Sequence, residues 1–167
     1  EFGAFSLAYL ALLLSNSLQT ALVTQPHNVL AAYLDEAEYA DYSTSALAGQ
    51  LALAAAFTAL IVTAAAVGPA FGWDRPDLLV ALAVAVPAWQ LQEFARRVFY
   101  TKGRVAAAFA NDAISYGGQL VLVVWLASKH RLTGPSALYV IAGTSTIAAL
   151  AGFWSIRGHL HGRIGLL

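Results

Sequence analysis

The chain has 167 residues, of which 59% are hydrophobic and 11% charged, with 9 Lys and Arg against 9 Asp and Glu. Its mean hydropathy of +0.66 is too apolar for an ordinary soluble domain, so the composition is that of an integral membrane protein. Zero net charge points to no partner, nucleic acid included, and the lack of cysteine excludes disulfides, thiolate metal sites and a cysteine nucleophile.

Five stretches are long enough to cross about 30 Å of hydrocarbon as helices: 2–24, 46–71, 78–100, 105–127 and 137–156. None alternates as membrane strands require, so the predicted fold is all-α: a polytopic bundle forming one transmembrane domain over 1–167. Glu1 leads at once into an apolar run, with no basic region or cleavage site before it. We therefore expect the chain to belong to a longer protein.

The first span carries "SNSLQT" at 15–20, which puts Ser15 and Gln19 on one helical face and Asn16 and Thr20 on a neighbouring one. Cavity lining and interhelical hydrogen bonding account for them equally. Pro26 then opens a loop, 25–45, which holds His27 and the acidic stretch "YLDEAEYADYS". In the second and fifth spans the polar residues are Thr58, Thr63, Thr144, Ser145 and Thr146, a type that commonly bonds its own backbone.

Within the third span Pro87 predicts a kink, and the span ends in "WQLQEFARRVFYTKGR" at 89–104. Gln90, Glu93 and Arg97 stand at i, i+3, i+7, a stripe confined to about 60° of one face. Glu93 precedes Arg97 by one helical turn, the favourable order for an intrahelical ion pair. A charge at membrane depth costs about 2.5 to 3.5 kcal/mol on insertion scales and marks a functional residue by default. The competing reading is interfacial: long side chains that snorkel to the headgroups beside Tyr100 and Lys102.

The fourth span extends the polar theme. Arg104, Ala108, Asn111, Asp112, Ser115 and Gln119 fall within about 100° of a helical wheel, and Asp112 lies about 12 Å beyond Arg104. Two readings stand together. These residues bond a neighbouring helix, with Gly117 and Gly118 allowing close approach, or they line a water-filled cavity shared by the third and fourth spans. His130 falls in a loop. His159 and His161 in "RGHLHGR" lack the further ligand a metal site needs, and read as solvated tail residues. No metal, cofactor or catalytic residue is expected.

Basic residues set the orientation. Loops 25–45 and 96–104 and the C-terminal tail carry Arg96, Arg97, Lys102, Arg104, Arg157 and Arg163, whereas loops 72–77 and 128–136 carry Arg75, Lys129 and Arg131. The first set is expected to face the cytoplasm of a multi-pass cell-membrane protein.

"LQEFARRVFYTKGRVAAAFANDAISYGGQLVLVVWL" resembles the corresponding region of the Wzx-like polysaccharide-export flippases, in the pattern Leu91-Gln92-Glu93-Phe94, Arg97, Tyr100, Gly103-Arg104, Asn111-Asp112 and Tyr116. "EFGAFSLAYLALLLSNSLQTALVTQPHNVL" is similar to their second helix and the turn after it. The resemblance covers nearly the whole chain and implies helices two to six of an N-terminal lobe. It also implies alternating-access transport of a polyprenyl-diphosphate-linked oligosaccharide, with no covalent chemistry. On that basis Arg97 and Arg104 are expected to contact the diphosphate, since arginine's planar fork suits phosphate oxygens. Glu93 would hold Arg97 or exchange a proton. Gln90, Asn111, Asp112, Ser115, Gln119, Asn16 and Gln19 would line the cavity or couple the ion. Expected partners are membrane lipid, the lipid-linked oligosaccharide, and the rest of the flippase or another membrane subunit. The alternative is an accessory membrane subunit without transport of its own; an enzyme acting on lipid-linked sugars has only the two tail histidines in its favour.

Overall fold

The computed structural model describes residues 2–160 and 162–165, and every regular element among them is helical. Helix α1 (Phe2–Gln19) widens into a π-turn at Thr20–Thr24 and continues as α2 (Gln25–Leu30) and a 3-10 turn at Ala31–Tyr33. Helix α3 (Glu36–Val67) is followed by α4 (Pro76–Thr101). A fourth rod consists of α5 (Val105–Asp112), a π-turn at Ala113–Gly117 and α6 (Gly118–Ser128). Helix α7 (Gly134–Ile156) ends in a 3-10 turn at Arg157–His159.

The segment 25–45, expected as a loop, is almost wholly helical. Pro26 lies just past the π-turn within the continuous helical stretch Phe2–Tyr33, where its missing N–H removes one bond from the backbone ladder without ending the helix. Asp35 caps α3: its carboxylate accepts from the N–H groups of Ala37 and Glu38, both at 2.9 Å, and Glu38 reaches back to the Asp35 N–H at 3.4 Å. This reciprocal capping starts the helix ten residues before the apolar run on which the sequence boundary rested. Helix α4 runs through Pro87 without ending.

Among the described residues four helical stretches are long and apolar enough to cross a membrane: Phe2–Tyr33, Glu36–Phe71, Pro76–Thr101 and Gly134–His159. The rod 105–128, expected as a fifth, is unbroken but carries Asn111, Asp112, Ser115 and Gln119 in its first half. By length and composition the chain is a membrane protein.

Helix α4 is the axis of the bundle. Of its membrane-length stretch 67% is buried, against 6% for α3, so the other helices pack around it. Near its start Leu78, Leu82, Ala85 and Val86 meet Ala8 and Leu12 of α1 and Leu138 and Ala142 of α7. Near its end Phe94, Ala95, Val98 and Phe99 meet Ala46 of α3, Ala108 of α5 and Ile156 of α7. Between these apolar clusters lie Gln90, Gln92 and Glu93, all buried. The bundle therefore has a polar waist.

Close approach below the waist depends on Gly152 of α7. A Cβ there would stand 2.8 Å from the Ala95 Cβ and 3.2 Å from Asn111 Nδ2, so any side chain would force α7 away from α4 and α5. We predict that Gly152→Val lowers stability by about 1–3 kcal/mol. Gly143→Val, at a position with open space beside it, is the control for helix propensity. Thermal unfolding in detergent compares the two, and equal losses would remove the packing explanation.

Candidate functional site

The polar waist is assembled by α4 with α1, α3, the fourth rod and α7. Gln90 lies at its centre. Its backbone carbonyl accepts from Gln19 Nε2 at 2.8 Å, its side-chain oxygen accepts from Gln50 Nε2 of α3 at 3.0 Å, and its own Nε2 donates to the Ser15 carbonyl at 3.3 Å. On the other side Gln92 Oε1 accepts from Ser115 Oγ at 2.8 Å. Ser115 in turn accepts from Gln119 Nε2 at 3.1 Å and stands 3.5 Å from Ser145 Oγ of α7. Asn111 Nδ2 donates to the Ala148 carbonyl of α7 at 2.6 Å. Both π-turns adjoin this layer. One begins directly after Gln19, and the other has Ser115 at its middle.

Charge enters one turn further along α4. Glu93 is 2% exposed. Arg96 Nη2 lies 2.6 Å from its carboxylate, and Arg97 Nε donates to Oε1 at 3.0 Å. Arg96 Nη1 also reaches both oxygens of Asp112 on α5, at 3.3 and 3.4 Å. Two carboxylates and two guanidiniums thus form one neutral chain, Asp112–Arg96–Glu93–Arg97, across the α4–α5 contact. A lone buried carboxylate would bear the full desolvation penalty, and here two cations offset it.

The expected site residues therefore divide. Glu93 holds Arg97 through Nε, and the two terminal guanidinium nitrogens of Arg97 have no partner among the described residues. Arg104 is exposed and stands apart from that network, with its fork on Ser155 of α7: Nη1 to the carbonyl at 3.1 Å and Nη2 to Oγ at 2.8 Å. Gln19, Gln90, Asn111 and Ser115, expected to face a cavity, are enclosed between helices and spend hydrogen bonds there. The physical reason is the membrane interior, where a polar side chain with a protein partner in reach bonds to it. Asp112 and Gln119 are half-buried, and Gln119 also borders a groove. Asn16 is half-buried, and its Oδ1 has no partner among the described residues. Of the two glycines, Gly118 approaches Thr144 closely, whereas Gly117 has open space beside it.

Several contributors escaped the sequence. In the sequence Arg96 is one of the basic residues that set the orientation, yet it joins the two carboxylates. Its i, i+3 spacing from Glu93 was a signal in plain sight. Gln92 and Gln50 lie off the Gln90–Glu93–Arg97 stripe, and only the packing of α3 and the fourth rod against α4 gives them meaning. His27, read as a loop residue, is 1% exposed. Its Nε2 is 2.9 Å from Ser43 Oγ, and its ring meets those of Tyr39, Tyr42 and Phe94 at 5.8 Å. Tyr39 links this cage to the helix ends through Thr101 Oγ1 at 2.8 Å and Lys102 Nζ, 3.6 Å from its ring centre. His159 packs edge-on to Tyr39, and His161 lies outside the described residues. No cluster of three or more His, Cys, Asp or Glu able to hold a metal occurs among the described residues.

Two outcomes are expected. Arg96→Leu strands Asp112 and leaves buried Glu93 with Arg97 alone, and should cost about 3 kcal/mol, well beyond Arg97→Leu, which leaves Arg96 in place; unfolding in detergent ranks the pair, and equal losses would contradict the network. Ser115→Cys, fully enclosed, should resist a small water-soluble thiol reagent in folded protein and react once the protein is unfolded. Rapid labelling of the folded protein would mean that water reaches the waist.

Comparison with protein-family models, with curated proteins and with solved structures gives no match to this chain.

Proposed function

We propose that this chain is a membrane-embedded lobe of a polysaccharide-export-type flippase, which carries a polyprenyl-diphosphate-linked oligosaccharide across the cytoplasmic membrane. The observation that supports this reading best is the state of Arg97. Its Nε is tied to a buried carboxylate while its two terminal nitrogens are unengaged among the described residues. That anchoring orients a planar two-donor fork in advance, the arrangement suited to bidentate contact with a phosphate. The partly exposed chain Asp112–Arg96–Glu93–Arg97 supplies carboxylates for ion coupling beside it. Arg104 would meet the anion after releasing Ser155. The end of the bundle where α3 begins and α7 finishes would face the cytoplasm, in keeping with its excess of basic residues.

The little-buried apolar stretch of α3, 6% of which is buried, favours a second reading: an accessory subunit that packs against another membrane chain. The test is transfer of a labelled polyprenyl-diphosphate sugar between leaflets in proteoliposomes, with the protein in its full-length form. Under the flippase reading Arg97→Lys should lose nearly as much transfer as Arg97→Ala, because a point charge does not replace a fork. Full transfer with lysine would sink the bidentate role. No transfer by the unaltered protein would favour the accessory subunit.

A further inference from the structure

Helix α6 differs from the rest of the bundle. The α5 half of its rod is pinned by Asn111, Asp112 and Ser115, whereas α6 itself has no buried residue. Past the π-turn it stands off from α1, and a groove of about 530 Å³ separates them. Phe5 of α1, Val123 of α6, and Leu132, Ala137 and Ile141 around the start of α7 line its walls, and Gln119 lies at the inner end. From Gln119 to the end of α6 is about 14 Å at helical rise, so the groove runs from the α6–α7 turn to near the middle of a bilayer about 30 Å thick. The walls are almost wholly apolar, and the one deep carboxamide is already bonded to Ser115.

Two basic residues stand in the turn beside the mouth of the groove. Lys129 and Arg131 lie in the α6–α7 turn, Arg131 directly before the lining residue Leu132, and both side chains are exposed without a partner among the described residues. Of the acids in the α3–α4 connection at the same end of the bundle, Asp77 is held by Arg75 at 3.1 Å, whereas Asp74 is exposed. An apolar slot of half-bilayer depth beneath two unpaired cations is complementary to a molecule with an apolar chain and an anionic head. We propose that this groove binds an anionic phospholipid, one acyl chain lying between α1 and α6 and the phosphate resting on Arg131 and Lys129. The lipid would occupy the space that α6 leaves open and so hold the outer half of the fourth rod at its distance from α1. This site is separate from Arg97 and does not depend on the flippase reading.

Native mass spectrometry of the protein released from mild detergent tests the idea, with phosphatidylglycerol and phosphatidylcholine added in turn to delipidated protein. One phosphatidylglycerol should be retained, in preference to phosphatidylcholine by about fivefold for each free cation engaged. Arg131→Gln should reduce that preference by the same factor. Val123→Trp, which fills the slot, should abolish retention of both lipids while leaving the unfolding temperature of lipid-free protein unchanged, and Ala137→Leu serves as a second filling variant should tryptophan disturb the fold. Equal retention of both lipids by the unaltered protein, undiminished retention in a folded filling variant, or a second copy of the chain in place of the lipid would each overturn the proposal.

Discussion

A polar side chain in the interior of a membrane bundle has no water to fall back on, so it either finds a protein partner or bears its desolvation cost. Helix α4 places Gln90, Gln92 and Glu93 at such depth, and the rest of the bundle answers them. Helix α1 supplies Gln19 and a carbonyl, α3 supplies Gln50, the fourth rod supplies Ser115 and Asp112, and α7 stands behind Ser115 with Ser145. The apolar clusters on either side add contact area but little register, since lipid tails are as apolar as leucine and van der Waals packing discriminates weakly between alternative helix rotations. The hydrogen-bonded waist fixes which faces meet.

The ion network extends this logic to charge. Glu93 is compatible with burial because Arg96 and Arg97 approach it together, and Arg96 is spared from facing a single partner because Asp112 shares it. Removing a middle member exposes its neighbours to low dielectric, whereas Arg97 at the end of the chain can exchange partners at smaller cost. The same arrangement therefore gives cohesion at its centre and chemical availability at its edge.

The fourth rod shows how such restraint is distributed along one helix. Its first half is tied by hydrogen bonds and an ion pair, while beyond Gln119 its second half is largely apolar, with grooves on both flanks. The π-turn and Gly118 mark the change, and Gly118 brings the rod against Thr144 before α6 separates from α1. Wide helical turns of this kind re-aim the side chains that follow them, which suits a rod whose halves have different neighbours.

Much of this was legible in the sequence. Apolar runs of spanning length determined an all-helical membrane bundle, because only internally bonded backbone is tolerated in hydrocarbon. Asp35 and Glu38 wrote the start of α3 in a capping box that a hydropathy boundary overlooked. The i, i+4 spacing of Glu93 and Arg97 determined their pairing on one helix. Helical spacing does not report what lies opposite a face, however, and so it left cavity and interhelical bond both open for Gln19, Asn111 and Ser115, and a functional and an interfacial reading both open for Gln90. Tertiary structure decided in favour of enclosure by bringing Gln50, Gln92, Ser145 and the Ala148 carbonyl to them. It also made Arg96 the bridge to Asp112 and turned His27 inward against Tyr39, Tyr42 and Phe94. Those outcomes depend on contacts between residues far apart in the chain, which no local pattern contains.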